Sequence, residues 1–359
     1  MIFRYGVLLT TATVILLLGL LNPNRNWDMI AYVAASYYQE GYRGADLTKQ
    51  TYGEIKKEVS DKKFAKLVAG EYRNTVFRDP AALEQQLPFY AIRVGYIELI
   101  RLFNKFGLSY ARSTYVISAI FASLSILVLG LIILRTGAPI AVLPVVVAVT
   151  GYPELAGLST PDAMACFFSL LGIYSLLTKR RLVFLVAAAL PLVRTDFILL
   201  SGLLMIYTYF NVNRFFSLFS ILLSVAFYIL VNKLNGNYGY LTIFNFSFII
   251  GELTPYPADM VISHKTSDYL KPYFLLIGDL ITRSYAVILG LSLYLLRVKL
   301  AGIKYDMDFY CLFALPFVFM ITHLLLFPSM EYRFLVFSAS LIFVWSLRLI
   351  GQPTNKSRL

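Results

Sequence analysis

The 359-residue chain has few charged side chains, since Asp, Glu, Lys and Arg make up 14% of it while 58% is hydrophobic. Soluble domains carry roughly 25% charged and about 45–50% apolar residues. A compact soluble protein of this length could not remove so much apolar surface from water. The composition therefore excludes the soluble, disordered and fibrous classes, and the mean hydropathy of +0.70 indicates that lipid surrounds most of the chain.

Cysteine and histidine are also scarce, with two of each. Cys166 and Cys311 lie in apolar runs, which indicates small core residues and no disulfide. The chain has no HxxxH or CxxC motif, which argues against a zinc site built from His and Cys. The net charge is +12, but the basic residues do not form a stripe with exposed aromatics. The charge therefore indicates contact with anionic lipid headgroups and no binding of nucleic acid.

Long apolar runs dominate the sequence. The first, at 7–21, has no small-x-small cleavage site after it, which predicts an uncleaved span. Nine further runs lie near residues 113–134, 138–150, 161–178, 181–193, 196–210, 215–233, 272–296, 306–327 and 332–349. We therefore expect an all-α polytopic membrane protein, one transmembrane domain over 1–359 with about ten transmembrane helices. Several runs are shorter than the roughly 20 residues of a perpendicular span, which indicates a cavity at their ends.

Basic residues in the short loops predict the orientation. They form three clusters on the side of the N-terminus, namely Lys179, Arg180 and Arg181; Arg297, Lys299 and Lys304; and Arg348, Lys356 and Arg358. The positive-inside tendency places that side, with both termini, in the cytoplasm. Residues 22–110 then form a large first outer loop and 234–271 a second one. Within the first, 51–78 is predicted to be helical, and 88–106 is predicted to be one amphipathic helix at the membrane interface.

Four separate segments carry charged residues at the outer ends of predicted spans. They are Asp28 in NRNWDMIAY, Glu154 and Asp162 in GYPELAGLSTPDA, Arg194 and Asp196 in PLVRTDF, and Glu331 and Arg333 in PSMEYRF. Charges at a membrane edge are costly and are therefore candidates for function. Their convergence on one face predicts a functional site there.

The acidic candidates each have a structural alternative. Asp28 is the best candidate for a general base acting on an acceptor hydroxyl, or it caps the following helix together with Asn26. Asp162 either shares the catalytic role or stabilises the positive end of the helix that it begins. In the second case Ser159 or Thr160 would cap that helix, with Pro161 at its first position, N1. Glu154 binds substrate or is a solvated acid in a turn.

The basic candidates suit phosphate, because a guanidinium can bond two oxygens at once. For Arg194 the alternative is a salt bridge with Asp196 that closes a tight turn, and for Arg333 it is interfacial snorkelling. His323 is expected to be a satisfied core histidine. A divalent cation held by the oxygens of Asp28 and Asp162 is left open.

The order of these motifs resembles the GT-C superfamily of membrane glycosyltransferases. NRNWDMIAY follows the first span, a large outer loop contains PFYAIRVGY, and STPDA, PLVRTDF and EYRF come after it. The members it is most similar to use polyprenyl-phosphate-linked sugars, like the protein mannosyltransferases and the aminoarabinose transferases of lipid A. The chain departs from them in having Met29 after Asp28, where an Asp-Glu pair is common, and in lacking a large soluble C-terminal domain.

The resemblance implies an inverting glycosyltransferase of a bacterial inner membrane, with its active site facing outside. The donor would be a polyprenyl-phosphate sugar and the acceptor a lipid-linked or glycan molecule. Asp28 and Asp162 would be catalytic, and the substrate would contact Glu154, Arg194, Asp196, Glu331 and Arg333. The alternatives are a transporter or flippase, a polymerase of lipid-linked saccharides and, last, a structural membrane subunit.

Overall fold

The computed structural model describes residues 2–251, 253–282, 284–299, 305–329 and 331–350. Throughout these ranges the regular structure is helical and no β-strand is found. The all-α prediction is therefore confirmed for the described chain.

Helix α1 (Ile2–Leu21) is followed by six helices before the next long apolar helix begins. They are α2 (Asp28–Gln39), α3 (Gly44–Glu58), α4 (Asp61–Leu67), α5 (Glu71–Arg78), α6 (Pro80–Ala91) and α7 (Val94–Lys105). The helical prediction for 51–78 is confirmed, but the single helix over 88–106 is wrong. Asp79 caps α6 well before Pro88, and α6 and α7 are separated at Arg93, whose φ of −96° and ψ of 56° are not helical.

The middle of the chain contains seven helices. They are α8 (Tyr110–Thr136), α9 (Leu143–Val149), α10 (Tyr152–Gly157), α11 (Asp162–Leu177), α12 (Leu182–Val193), α13 (Ile198–Asn211) and α14 (Arg214–Leu234). A 3₁₀ turn at Ile140–Val142 leads into α9, and another at Thr195–Phe197 leads into α13.

Six helices complete the described chain. They are α15 (Tyr240–Phe244), α16 (Thr266–Thr282), α17 (Ser284–Val298), α18 (Met307–Phe309), α19 (Leu315–Leu326) and α20 (Tyr332–Ile350). A π-helical stretch at Asn245–Ile249 extends α15, and another at Tyr310–Ala314 joins α18 to α19.

Five helical stretches are long and apolar enough to cross a membrane: α1, α8, α14, the run Met307–Leu326 and α20. The protein is therefore a multi-pass membrane protein. The predicted run 272–296 is divided between two helical stretches that meet at 77°, and hydropathy does not report helix direction. The number ten stays a prediction, because Ile140–Val149, Asp162–Leu177 and Leu182–Val193 are shorter apolar helices.

A close approach of α1 to its neighbours positions the segment that follows it. A Cβ on Gly19 would lie 2.7 Å from the Ala156 carbonyl oxygen and 2.8 Å from the Ala119 Cβ, so only a glycine allows this packing. Just beyond the helix, the Asn24 N–H donates to the Gly157 carbonyl at 2.8 Å. The chain that leads into α2 is thus fixed against the turn that leads into α11.

The basic clusters gather at one end of the bundle. Arg348, at the end of α20, pairs with Asp308 at 2.7 Å, and Tyr207, at the end of α13, contacts the sulfur of Met307 at 3.3 Å. Arg181 lies over an aromatic ring at the start of α14. The predicted cluster members Lys304, Lys356 and Arg358 lie outside the described residues. Arg333 lies at the opposite end of α20 from Arg348, among the other predicted site residues.

Candidate functional site

The ends of several helices enclose a cavity of about 570 Å³ at the end of the bundle opposite the basic clusters. Five of the predicted site residues line it: Asp28, Asp162, Arg194, Asp196 and Arg333. They belong to the start of α2, the start of α11, the α12–α13 junction and the start of α20. The structure thus brings together charges that are up to 305 positions apart in the sequence.

Arg333 links the first acidic segment to the last helix. Its Nη1 donates to Asp28 Oδ2 at 3.0 Å, and its Nε lies 3.0 Å from a carboxylate oxygen of Glu331 and 3.8 Å from Asp162. Glu331 is mostly exposed and does not line the cavity. Arg333 therefore holds Asp28 in place from the far end of the sequence, which a merely snorkelling arginine would not do.

Arg194 joins the remaining carboxylates and is almost completely buried. Its Nε and Nη2 donate to the two oxygens of Asp196 at 3.1 and 2.8 Å, and its Nη1 donates to Asp162. The salt bridge considered as an alternative is thus present, but it forms part of a larger network. All three guanidinium nitrogens of Arg194 are therefore paired with carboxylates of the network.

His323 belongs to the same network. Its Nε2 pairs with Asp196 at 3.1 Å, whereas its Nδ1 is buried without a hydrogen-bond partner among the described residues. The ring is buried, as expected of a core histidine, but only one of its two nitrogens has a partner among the described residues. The only sequence signal was a polar residue inside the apolar run ITHLLLF.

The surroundings of Asp28 hold its carboxylate at the cavity. Asn26 donates to Oδ2 at 2.7 Å and the Tyr90 hydroxyl donates to Oδ1 at 3.0 Å, while 22% of the side chain stays exposed. The capping alternative is wrong, because Trp27 occupies the N-cap of α2 and no side chain caps the helix. Asn26 instead accepts from the Ser159 N–H at 2.8 Å, which ties Asp28 to the turn before α11.

Asp162 starts α11, but the expected cap is absent there too. Pro161 occupies the N-cap position instead of N1, and the hydroxyls of Ser159 and Thr160 are buried without hydrogen-bond partners in the described chain. The side chain of Asp162 is only 3% exposed. Its two arginine neighbours, and not a capping role, account for its position.

Glu154 is the predicted site residue that the structure leaves apart. It is exposed in the first turn of α10, hydrogen-bonds with Tyr332 and does not line the cavity. Its role in substrate binding stays a prediction.

The carboxylates of Asp28 and Asp162 are not arranged to share a divalent cation. Arg333 already occupies the space between Asp28 and Asp162, so a guanidinium supplies the positive charge that a metal would bring. Within the residues that the structure describes, no group of three His, Cys, Asp or Glu side chains could hold a metal ion.

The remainder of the cavity wall is largely apolar. It includes Phe89, Ile198, Leu199, Ile243, Phe246, Leu326 and Phe327. Tyr228 and Asn232 of α14 also line it, and Leu218, Leu222 and Ile229 of the same helix are exposed on the bundle surface. The charged network thus adjoins apolar walls that lead to a helix with a lipid-facing surface.

Sequence reasoning did not assign Tyr90, Arg93 or His323 to a functional site, yet all three line this cavity. Arg93 is the only charged residue in PFYAIRVGY, and that isolation was a usable signal. Tyr90 offered none, because its hydroxyl meets Asp28 only through long-range packing.

Comparisons with known proteins find no relative: no family model, no curated protein and no solved structure matches the chain. The fold defines a multi-pass membrane protein, and the cavity defines its candidate site.

Proposed function

We propose that the protein is a membrane glycosyltransferase that moves a sugar from a polyprenyl-phosphate-linked donor to an acceptor hydroxyl. The observation that carries the proposal is the partly exposed carboxylate of Asp28, held by three donors inside a cavity that is charged at one end and apolar along its walls. A lipid-linked sugar has the same division into a polar head and an apolar tail.

Asp28 is better placed than Asp162 to act as the general base. Asp28 is 22% exposed and Asp162 only 3%, so an acceptor hydroxyl can reach Asp28 without displacing other groups. Asn26, Tyr90 and Arg333 fix its orientation. A base must lie within hydrogen-bond reach of the proton that it takes, which favours the accessible carboxylate.

The proposed reaction is one displacement with inversion. Asp28 takes the proton of the acceptor hydroxyl while the hydroxyl oxygen bonds to the anomeric carbon. The bond from that carbon to the phosphate oxygen breaks, and its electron pair leaves on the polyprenyl phosphate. Positive groups near the leaving oxygen stabilise the charge that develops there, and Arg333 brings one into the cavity.

The proposal places the cavity outside a bacterial inner membrane, with both termini in the cytoplasm. The basic side chains of Arg181, Lys299 and Arg348 lie at the other end of the bundle, and the positive-inside tendency assigns such an end to the cytoplasm. The acceptor, a lipid-linked or glycan molecule, would then enter from the outer side.

An assay of the purified protein in detergent tests the proposal. It uses a panel of radiolabelled polyprenyl-phosphate sugars with an acceptor extract, and it measures label in a new glycosidic product. We expect transfer with at least one donor, and none when Asp28→Asn replaces the wild type. Absence of transfer with every donor, together with movement of a lipid-linked sugar across proteoliposomes, would overturn the proposal in favour of a transporter.

A further inference from the structure

Arg93 differs from the other arginines of the cavity in having no acidic partner. Among the described residues, Arg93, Arg194 and Arg333 are the arginines that line it. The side chains of Arg194 and Arg333 are paired with carboxylates. No ion pair, hydrogen bond or ring contact joins the Arg93 side chain to any residue in the described ranges. Its positive charge therefore faces the cavity without a carboxylate partner from the described part of the chain.

The backbone fixes the position of Arg93. Its N–H donates to the Tyr90 carbonyl at 3.0 Å, and its own carbonyl accepts from the N–H groups of Tyr96 and Ile97 at 3.0 and 3.1 Å. A Cβ on Gly95 would lie 3.0 Å from the Leu192 carbonyl oxygen, so the start of α7 is pressed against the end of α12. Arg93 is thus held next to the segment that carries Arg194.

Arg93 also lies near the reacting end of the cavity. Tyr32 is within electrostatic reach of both Arg93 and Asp28, and its ring packs edge-on against Tyr90 with centroids 5.2 Å apart. Tyr90 in turn donates to Asp28. A ligand bound by Arg93 would therefore have its head close to the proposed base.

A second polar group in the cavity also lacks a partner. Thr160 is 2% exposed and lines the cavity, yet its hydroxyl has no hydrogen-bond partner in the described chain. A buried hydroxyl without a partner costs free energy. An anion with several acceptor oxygens would satisfy both the hydroxyl and the guanidinium.

We infer that Arg93 is the main phosphate-binding residue of the site, with Thr160 as a second donor. The ligand is a phosphate group esterified to a polyprenyl chain, so the inference rests on the proposed function and names the part of the donor that is held. A guanidinium can bond two phosphate oxygens at once. The phosphate gains negative charge when it leaves the sugar, and Arg93 then binds it more strongly.

Binding of three probes in detergent tests the inference: farnesyl phosphate, farnesol and inorganic phosphate. The wild type should bind farnesyl phosphate more tightly than farnesol. Arg93→Gln should lose about tenfold or more of its affinity for farnesyl phosphate, as expected for a charged hydrogen bond, and should bind farnesol as the wild type does. Arg78→Gln is the matched control, since Arg78 is an exposed arginine of the same long segment that does not line the cavity.

The outcomes separate this inference from the proposed function. If Arg93→Gln still binds farnesyl phosphate more tightly than farnesol by the wild-type ratio, Arg93 does not bind the phosphate. That result would leave the glycosyltransferase proposal unaffected. Equal binding of the two lipids by the wild type would also overturn the role of Arg93. If Arg93→Gln alone loses discrimination but no lipid-linked sugar is ever transferred, Arg93 keeps its role and the glycosyltransferase proposal fails. Tighter binding of inorganic phosphate than of farnesyl phosphate would show that the site takes free phosphate and would overturn the lipid assignment.

Discussion

Two clusters of carboxylates lie at the same end of the molecule, and they are compensated in different ways. In the cavity, Asp28 and Asp162 meet arginines. In the long segment before α8, Glu54 accepts from the Tyr37 hydroxyl at 2.7 Å and from the Ala111 N–H at 2.6 Å. Glu58, one turn further along α3, accepts from the Tyr115 hydroxyl at 2.7 Å and also lies 3.5 Å from Arg112 and 4.0 Å from Arg25. The difference between the two clusters is therefore clearest at Glu54, whose two donors are uncharged.

We propose that this difference separates a structural cluster from a reactive one. Burial, and then the hydrogen bond with Glu54, raises the pKa of the Tyr37 phenol, so this donor keeps its proton across the physiological range. Glu54 and Glu58 dock α3 onto the start of α8 and line no part of the cavity. In the cavity, by contrast, Asp28 pairs with Arg333 and keeps 22% of its side chain exposed. Loss of a glutamate should therefore affect stability, and loss of Asp28 should affect turnover.

The largest expected effect is that of Asp28→Asn. Asn keeps the shape and can still accept from Tyr90, but it cannot take a proton and its NH2 group cannot accept from Asn26 and Arg333. We expect turnover to fall about 10²–10⁴-fold, with a smaller loss of thermal stability from the missing acceptor. Asp46→Asn is the control, because Asp46 also lies in the first turn of a helix, α3, but is exposed. If Asp28→Asn turns over at more than half the wild-type rate, Asp28 is not the general base and Asp162 becomes the candidate.

Arg333→Lys should have the next largest effect. Lysine keeps the charge but loses the planar fork that contacts Asp28 and Glu331 together. We expect kcat/KM to fall by about tenfold or more, the size of a lost charged hydrogen bond. Arg348→Lys is the matched control on the same helix, since Arg348 is also ion-paired but lies at the other end of α20. Equal losses in the two variants would contradict a role specific to the cavity.

Glu54→Ala should act on stability alone. It removes the acceptor of the Ala111 N–H and the Tyr37 hydroxyl, which should lower the free energy of unfolding by about 1–3 kcal/mol. The kcat/KM per folded molecule should stay at the wild-type value. Glu98→Gln, which removes an exposed pair with Arg101, should change stability by less than about 0.5 kcal/mol. A Glu54 variant that folds stably but is inactive would break the distinction between the two clusters.

The convergence of the charges was predictable because apolar runs alternate in direction. Asp28 follows an outgoing run, Asp162 precedes an incoming one, and Arg194 and Arg333 lie at similar junctions. A count of spans therefore assigns all of them to one end. The same count of spans assigns Glu154 to this end, but Glu154 does not line the cavity. A count of spans does not specify which way a short turn such as α10 faces.

The partners of each charge could not be read from the sequence. The pairs Asp28–Arg333 and Asp196–His323 depend on which helices are neighbours within the membrane, and hydropathy carries no lateral information. The break at Arg93 was hidden for a different reason, since neither glycine nor proline immediately precedes it in YAIR. The 77° angle between α16 and α17 was hidden because both helices are apolar.

The anomeric configuration of the product, determined by NMR, tests the proposed mechanism most directly. The purified wild-type protein is given a polyprenyl-phosphate sugar of known configuration and an acceptor. Asp28 is the more accessible of the two carboxylates and Asp162 is enclosed by arginines, so the proposed mechanism predicts one displacement and a product with inverted configuration. A product with retained configuration, or no glycosidic product from any donor, would contradict it.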